Sequence, residues 1–131
     1  MTLQIRGIHH VVLTVSEPER SARFYEQILG VEADFATEDV QCIPCDSFLL
    51  CLQHPPKRPL PNDRFDENRL GLDHIGFSVA SRQQLEDLLL VLTQLGVSTS
   101  GIEFDPDGQG DYVCFRGPDN IQIEFNVGDY R

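Results

Sequence analysis

Two histidines and one glutamate are the residues of this chain whose types and placement could do chemistry. His10 and His74 stand 64 residues apart, each close behind a glycine and at the head of a short apolar run. Glu124 lies within the alternating run Ile121 to Asn126. Two imidazoles and a carboxylate can hold a divalent transition metal and still leave coordination positions open to water or substrate. A metal held that way polarises a carbonyl or stabilises an enediolate, and iron can bind a catechol together with dioxygen. Iron, manganese, nickel and zinc all suit these donors, so the identity of the metal stays open. Glu124 is the candidate catalytic carboxylate as well as a ligand.

Such a site requires the three side chains to share one side of their strands. Successive strand residues face opposite ways. On the first strand Val11, Leu13 and Val15 form the apolar face, leaving His10, Val12 and Thr14 on the other. The strand that opens the second half sets Ile75, Phe77 and Val79 together and leaves His74, Gly76 and Ser78. On the last strand Ile121, Ile123 and Phe125 cover the core, leaving Gln122, Glu124 and Asn126. Both histidines and the glutamate therefore point away from the apolar side. Tyr112 and Arg116, expected on the same side near Glu124, are candidates for binding substrate. Gln41 and Gln53 are expected there too, as substrate contacts or weak ligands.

The elements that position these residues come from a duplication. Gly7 to Val31 recurs in outline as Gly71 to Val97: a glycine, a histidine, an apolar run, a serine, then a helical segment closed by Leu-Gly-Val. Self-similarity of this kind decides the fold before any local reading does. Ser16-Glu-Pro-Glu19 has the spacing of a capping box and predicts a helix running to Leu29, ended by Gly30. Ser81 and Gln84 repeat the device. Leu85, Leu88, Leu89, Leu92 and Leu95 then fall on one helical face and read as core. Three further strand-like runs follow each helix, so the unit reads βαβββ. Gly117-Pro-Asp-Asn120 is a tight turn between the last two strands, and Pro44 to Ser47 is its counterpart. Superposing the hairpins sets Cys51 at the place of Glu124. The expected organisation is α+β: modules over 1–54 and 71–131, joined by a linker over 55–70. The curled sheets of the two modules would form one metal-binding cup. Residues 105–110 read as a loop able to cover it.

Composition narrows the partners. With 21 acidic against 10 basic residues the net charge is −11, which repels phosphate backbones and anionic lipid, so no nucleic acid partner is expected. No apolar run approaches the 20 or so residues that cross a bilayer. Residues 1–15 lack the continuous apolar stretch of a signal peptide, and a cytoplasmic protein is expected. The four cysteines are few for a disulfide scaffold and are expected as reduced structural thiols. Cys42-x-x-Cys45 has no second pair at zinc-finger spacing.

Three segments in order, Ile8-His-His-Val-Val-Leu-Thr-Val15 with Phe24-Tyr25 and Leu29-Gly30, Leu72-Asp-His-Ile-Gly-Phe-Ser-Val79, and Gly117-Pro-Asp-Asn-Ile-Gln-Ile-Glu-Phe125, resemble the vicinal oxygen chelate superfamily. That group includes glyoxalase I, extradiol dioxygenases, and the fosfomycin and bleomycin resistance proteins. The resemblance implies paired βαβββ modules around a metal, with His10, His74 and Glu124 as ligands and His9 facing elsewhere. It also implies dioxygenase, lyase, isomerase or transferase chemistry on a small oxygenated metabolite, and a homodimer. Where glyoxalase I supplies a fourth ligand this chain has Cys51, read here as a core residue. The alternative is a metal-free sequestering protein of the bleomycin resistance kind, which would need no such trio.

Overall fold

The structure is a computed structural model, described here over residues 1–57, 60–107 and 110–129. Two compact units divide after Pro61. The first runs β1 (His10–Thr14), α1 (Pro18–Leu29), β2 (Phe35–Ala36), β3 (Val40–Pro44) and β4 (Leu49–Gln53). The second repeats the order as β5 (Ile75–Val79), α2 (Arg82–Gln94), β6 (Glu103–Asp105), β7 (Gly110–Arg116) and β8 (Gln122–Val127), with a 3-10 turn at Pro118–Asn120. This is the expected α+β repeat of two βαβββ modules. Each sheet has four strands, in the orders β1-β4-β3-β2 and β5-β8-β7-β6, and neither closes into a barrel.

In both sheets the first and last strands of the module lie side by side and parallel. Val12 pairs with Cys51 in one, and Gly76 with Glu124 in the other. The pairing places the residues anticipated for the open face, Gln41 excepted, on that face, the one turned away from the helix. In the first unit these are His10, Val12 and Thr14 with Cys51 and Gln53. In the second, Gly76, Ser78, Glu124 and Asn126 share it with Tyr112, Cys114 and Arg116.

The opposite faces hold the cores. Leu13, Val15, Ile43, Leu50 and Leu52 are buried with Ala22 and Tyr25 of α1. Phe77, Val113, Phe115, Ile123 and Phe125 are buried with Leu85, Leu88 and Leu92 of α2, and Phe77 stacks on Phe125 at 5.1 Å between ring centroids. Burying one such side chain stabilises by about 1.5–3 kcal/mol, so the leucine stripe of α2 holds the helix to its sheet. Gly30 at φ 69° and Gly96 at φ 71° take the left-handed backbone that ends each helix, which a side chain would strain.

The helix starts differ from those expected. Pro18 occupies the first turn of α1 and makes Glu17 the cap residue, one later than Ser16, whose hydroxyl accepts from Arg20 instead. In α2 Ser81 is the cap residue but its side chain makes no capping bond; Gln84 Oε1 accepts from the Ala80 N–H at 2.8 Å, half of the expected box displaced by one residue. Part of the anticipated loops, 58–59 in the linker and 108–109 in the covering loop, lies outside the described residues.

Candidate functional site

The open face of the second sheet carries a polar constellation built around one imidazole–carboxylate contact. His74 immediately precedes β5, and the register sets Gly76 beside Glu124, so His74 and Glu124 are diagonal neighbours on one face. His74 Nε2 lies 2.9 Å from Glu124 Oε2, with the two side chains 37% and 18% exposed. Behind the imidazole, Asp73 Oδ1 sits 2.7 Å from His74 Nδ1. Behind the carboxylate, Asn126 Nδ2 donates to Glu124 Oε1 at 3.0 Å. Each of the two functional groups is thus oriented by a neighbour on its far side. Gly76 keeps the floor open, since a Cβ there would meet Asn126 Oδ1 at 3.2 Å. A depression of about 440 Å³ lies over the group, bounded by Ser78, Asp105 and Gly128.

A second depression of about 750 Å³ shares Glu124 and Asp105 with the first and extends along β7 past Tyr112, Cys114 and Arg116. The Tyr112 hydroxyl donates to Glu103 Oε2 at 2.8 Å, and that bond, aided by desolvation and nearby carboxylates, raises the phenol above its usual pKa. Cys114 stands opposite Glu124 in the ladder, and burial, with the Glu124 charge adding to it, pushes its thiol up, so it remains protonated. Arg116 forms a two-pronged bond with Glu67, Nη1 to Oε2 at 2.7 Å and Nη2 to Oε1 at 2.9 Å. Hydrogen bonding from Arg116 holds the Glu67 carboxyl down to about 2 and raises the guanidinium in turn. Arg116 and Tyr112 therefore sit on the expected face, each already engaged by an acid.

In the first unit the equivalent positions carry other chemistry. His10 Nδ1 lies 2.8 Å from His9 Nδ1, and both rings are exposed. Cys51, at the place of Glu124, is joined to Cys42 by a disulfide across β3 and β4. The expectation of reduced thiols is corrected for this pair, because directly opposed strand positions bring their Cα atoms to 4.1 Å; Cys45 and Cys114 are free. That bond also removes Cys51 from the candidate ligands. Gln53 is on the open face and exposed. Gln41 is not. It pairs with Leu52 on the helix side, is 6% exposed, and its Oε1 accepts from Arg23 of α1 at 3.1 Å. Its polarity suggested the open face, but Arg23 satisfies the amide within the core side.

Of the expected metal-binding trio, His74 and Glu124 meet within the second unit, while His10 belongs to the first. Among the described residues no group of three or more His, Cys, Asp or Glu side chains is gathered around one point. Sequence reasoning missed four residues of the constellation. Asp73 directly precedes His74 and Asn126 follows Glu124 at the same-face spacing of two, so both had a readable signal. Glu67 and Glu103 come from segments whose approach to β7 had none.

Donor chemistry and orientation both fit a divalent metal at His74 and Glu124. A carboxylate on Nδ1 presents Nε2 as the coordinating atom and raises its basicity, the arrangement that accompanies metal-bound histidine. Asn126 occupies one carboxylate oxygen and leaves Oε2 toward the imidazole.

A sequence profile of the Glyoxalase/Bleomycin resistance protein/Dioxygenase superfamily matches residues 7–125. Among solved structures, a glyoxylase/bleomycin resistance protein/dioxygenase domain from Frankia sp. EAN1pec is similar at TM-score 0.77 and 30% identity, covering 96% of this chain and 100% of that one. The fosfomycin resistance protein FosX from Listeria monocytogenes, complexed with Mn(II) and sulfate ion, is similar in fold at TM-score 0.72 and 19% identity, covering 96% and 93%. The glutathione transferase FosA of Serratia marcescens is 26% identical over 125 residues, covering 95% of this chain and 82% of FosA. Among the described residues no helix is long and apolar enough to cross a membrane.

Proposed function

The chain belongs to the Glyoxalase/Bleomycin resistance protein/Dioxygenase superfamily, and we propose that within it this protein is a metal-dependent enzyme acting on a small oxygenated molecule. His74 and Glu124 supply two ligands and His10, the repeat-equivalent of His74, supplies the third. The carrying observation is the convergence of His74 Nε2 and Glu124 Oε2 at 2.9 Å, with Asp73 and Asn126 holding each group from behind. His10 supports the same reading, since its Nδ1 also lies against the preceding side chain, His9, at 2.8 Å, which leaves Nε2 to coordinate.

A bound divalent ion supplies Lewis acidity toward vicinal oxygens of the substrate. The chain's own residues do the rest. Asp73 fixes the His74 ring, Asn126 fixes the Glu124 carboxylate, and Gly76 leaves the space above them clear. Tyr112 and Arg116 line the adjoining depression, where they can orient the part of the substrate that does not chelate. Mn(II) in the related FosX supports the use of a divalent ion. The name of the glutathione transferase FosA supports keeping group transfer beside lyase, isomerase and dioxygenase chemistry among the candidate reaction classes. A homodimer is part of the proposal, because among the described residues both open sheets end on edge strands that a second copy can pair with.

Calorimetric titration of chelator-treated protein with Mn(II) tests the ligand set. Wild type should bind one ion per site, His10→Ala should lose most of the affinity, and Asp73→Asn should weaken it by about 10–100-fold. Unchanged binding in His10→Ala would remove the first unit from the site. Comparing activity on catechol, diol and epoxide panels with and without dioxygen then separates the reaction classes, and light scattering at micromolar concentration reports the dimer.

A further inference from the structure

The geometry points to Arg116 as the anchor for an acidic group of the substrate, with Glu67 as an internal occupant of the same guanidinium fork that the ligand displaces. Two observations carry this. Glu67 meets Arg116 through two parallel bonds at 2.7 and 2.9 Å, the planar fork that matches a carboxylate or a phosphoryl group. Among the described residues lining the depression, Arg116 is the one cation, set against Glu103, Asp105 and Glu124. An anionic ligand entering this acidic hollow meets attraction at Arg116 and repulsion elsewhere, which fixes its orientation.

Placement gives the substrate class. Arg116 pairs with Gln122, two residues from Glu124, so Arg116 and Glu124 are diagonal neighbours about 7–8 Å apart along the sheet. A molecule that spans them has oxygens at the Glu124 end and a carboxylate, phosphate or phosphonate at the other. This substrate assignment rests on the metal-dependent reading above; the anion subsite itself does not.

Glu67 can leave without undoing its segment. The Phe65 N–H donates to Asp119 O at 2.8 Å, and Asn120 Nδ2 donates to Phe65 O at 3.0 Å, so the backbone stays tied to the β7–β8 turn when the carboxylate swings away. The Glu67 side chain is half-buried, and water takes over its hydrogen bonds once displaced. A purely structural clamp differs in its consequence, because removing the acid would then loosen the segment and gain no affinity for anions.

The test is a titration of chelator-treated protein with inorganic phosphate, followed at the Arg116 Nε–H by heteronuclear NMR. Wild type should bind weakly with a shift at Arg116. Glu67→Gln should bind about tenfold tighter, the scale of a lost charge-assisted competitor, and Arg116→Gln should lose the binding. Equal affinity in Glu67→Gln and wild type, or phosphate binding retained in Arg116→Gln, would overturn the proposal. Amide shifts of Phe65 and the Asn120 side chain report whether Glu67→Gln keeps its segment. Should it not, Arg116→Lys decides the question with Glu67 intact: the charge remains, the fork is lost, and phosphate affinity must fall. Because metal is absent throughout, a negative result here leaves the metal site standing, and loss of the metal site leaves this result standing.

Discussion

The two units fold alike and differ in what they place on the open face. Register aligns Gly76 with Val12, Glu124 with Cys51, Cys114 with Cys42 and Arg116 with Pro44. At these four positions the second unit has space, a carboxylate, a free thiol and a cation. The first has a methyl-bearing wall, a disulfide and a proline. The helix-facing positions carry apolar side chains in both units, except for Gln41 and Asp111, which bond Arg23 of α1 and Arg82 of α2. Chemistry therefore diverged on one face of each sheet while packing was retained on the other, and the residue standing beside the β1 or β5 strand on the last strand decides which unit bears the carboxylate. One device survived in both copies. The residue before each histidine engages its Nδ1, Asp73 in one and His9 in the other.

The contrast can be broken most forcefully at its centre. Glu124→Gln removes the charge of the proposed ligand and should reduce metal affinity by more than about a hundredfold, beyond the 10–100-fold that outer partners contribute, whereas Cys51→Ala should leave it unchanged. Calorimetry on the pair decides; equal losses would mean that both copies contribute at this position. A second expectation concerns stability rather than binding. The Cys42–Cys51 bond closes a separation of nine residues, and its reduction should lower the stability of the first unit by about 2–3 kcal/mol without changing metal affinity. Alkylation under denaturing, non-reducing conditions should label Cys45 and Cys114 alone, and labelling of all four would refute the bond. The smallest effect belongs to Gly76→Ala, whose new methyl group displaces the Asn126 amide from Glu124. Metal binding should weaken several-fold, a change of about 1 kcal/mol, while the matching Val12→Ala should leave it as it was.

Much of the scaffold was legible because it rests on periodic burial. Alternation along β1, β5 and β8 put His10, His74 and Glu124 on the outward side, and the 3.6-residue recurrence of Leu85, Leu88 and Leu92 put α2 on its sheet. Gln41 broke the rule that polar residues turn outward, because Arg23, a partner eighteen residues away, satisfied it inside. The caps shifted for a local reason, since Pro18 preferred the first helical position over the serine signal two residues earlier.

Residue order alone settled the duplication, the βαβββ order and the face that the residues of β5 and β8 occupy, since those follow from spacing and from the need to bury apolar side chains. Only the tertiary structure decided which partners met across that face: Asp73 and Asn126 bracketing the His74–Glu124 pair, Glu67 seated in the Arg116 fork, Cys42 joined to Cys51. These depend on strand register and on where connecting segments return, and neither quantity is carried by the pattern within any single strand.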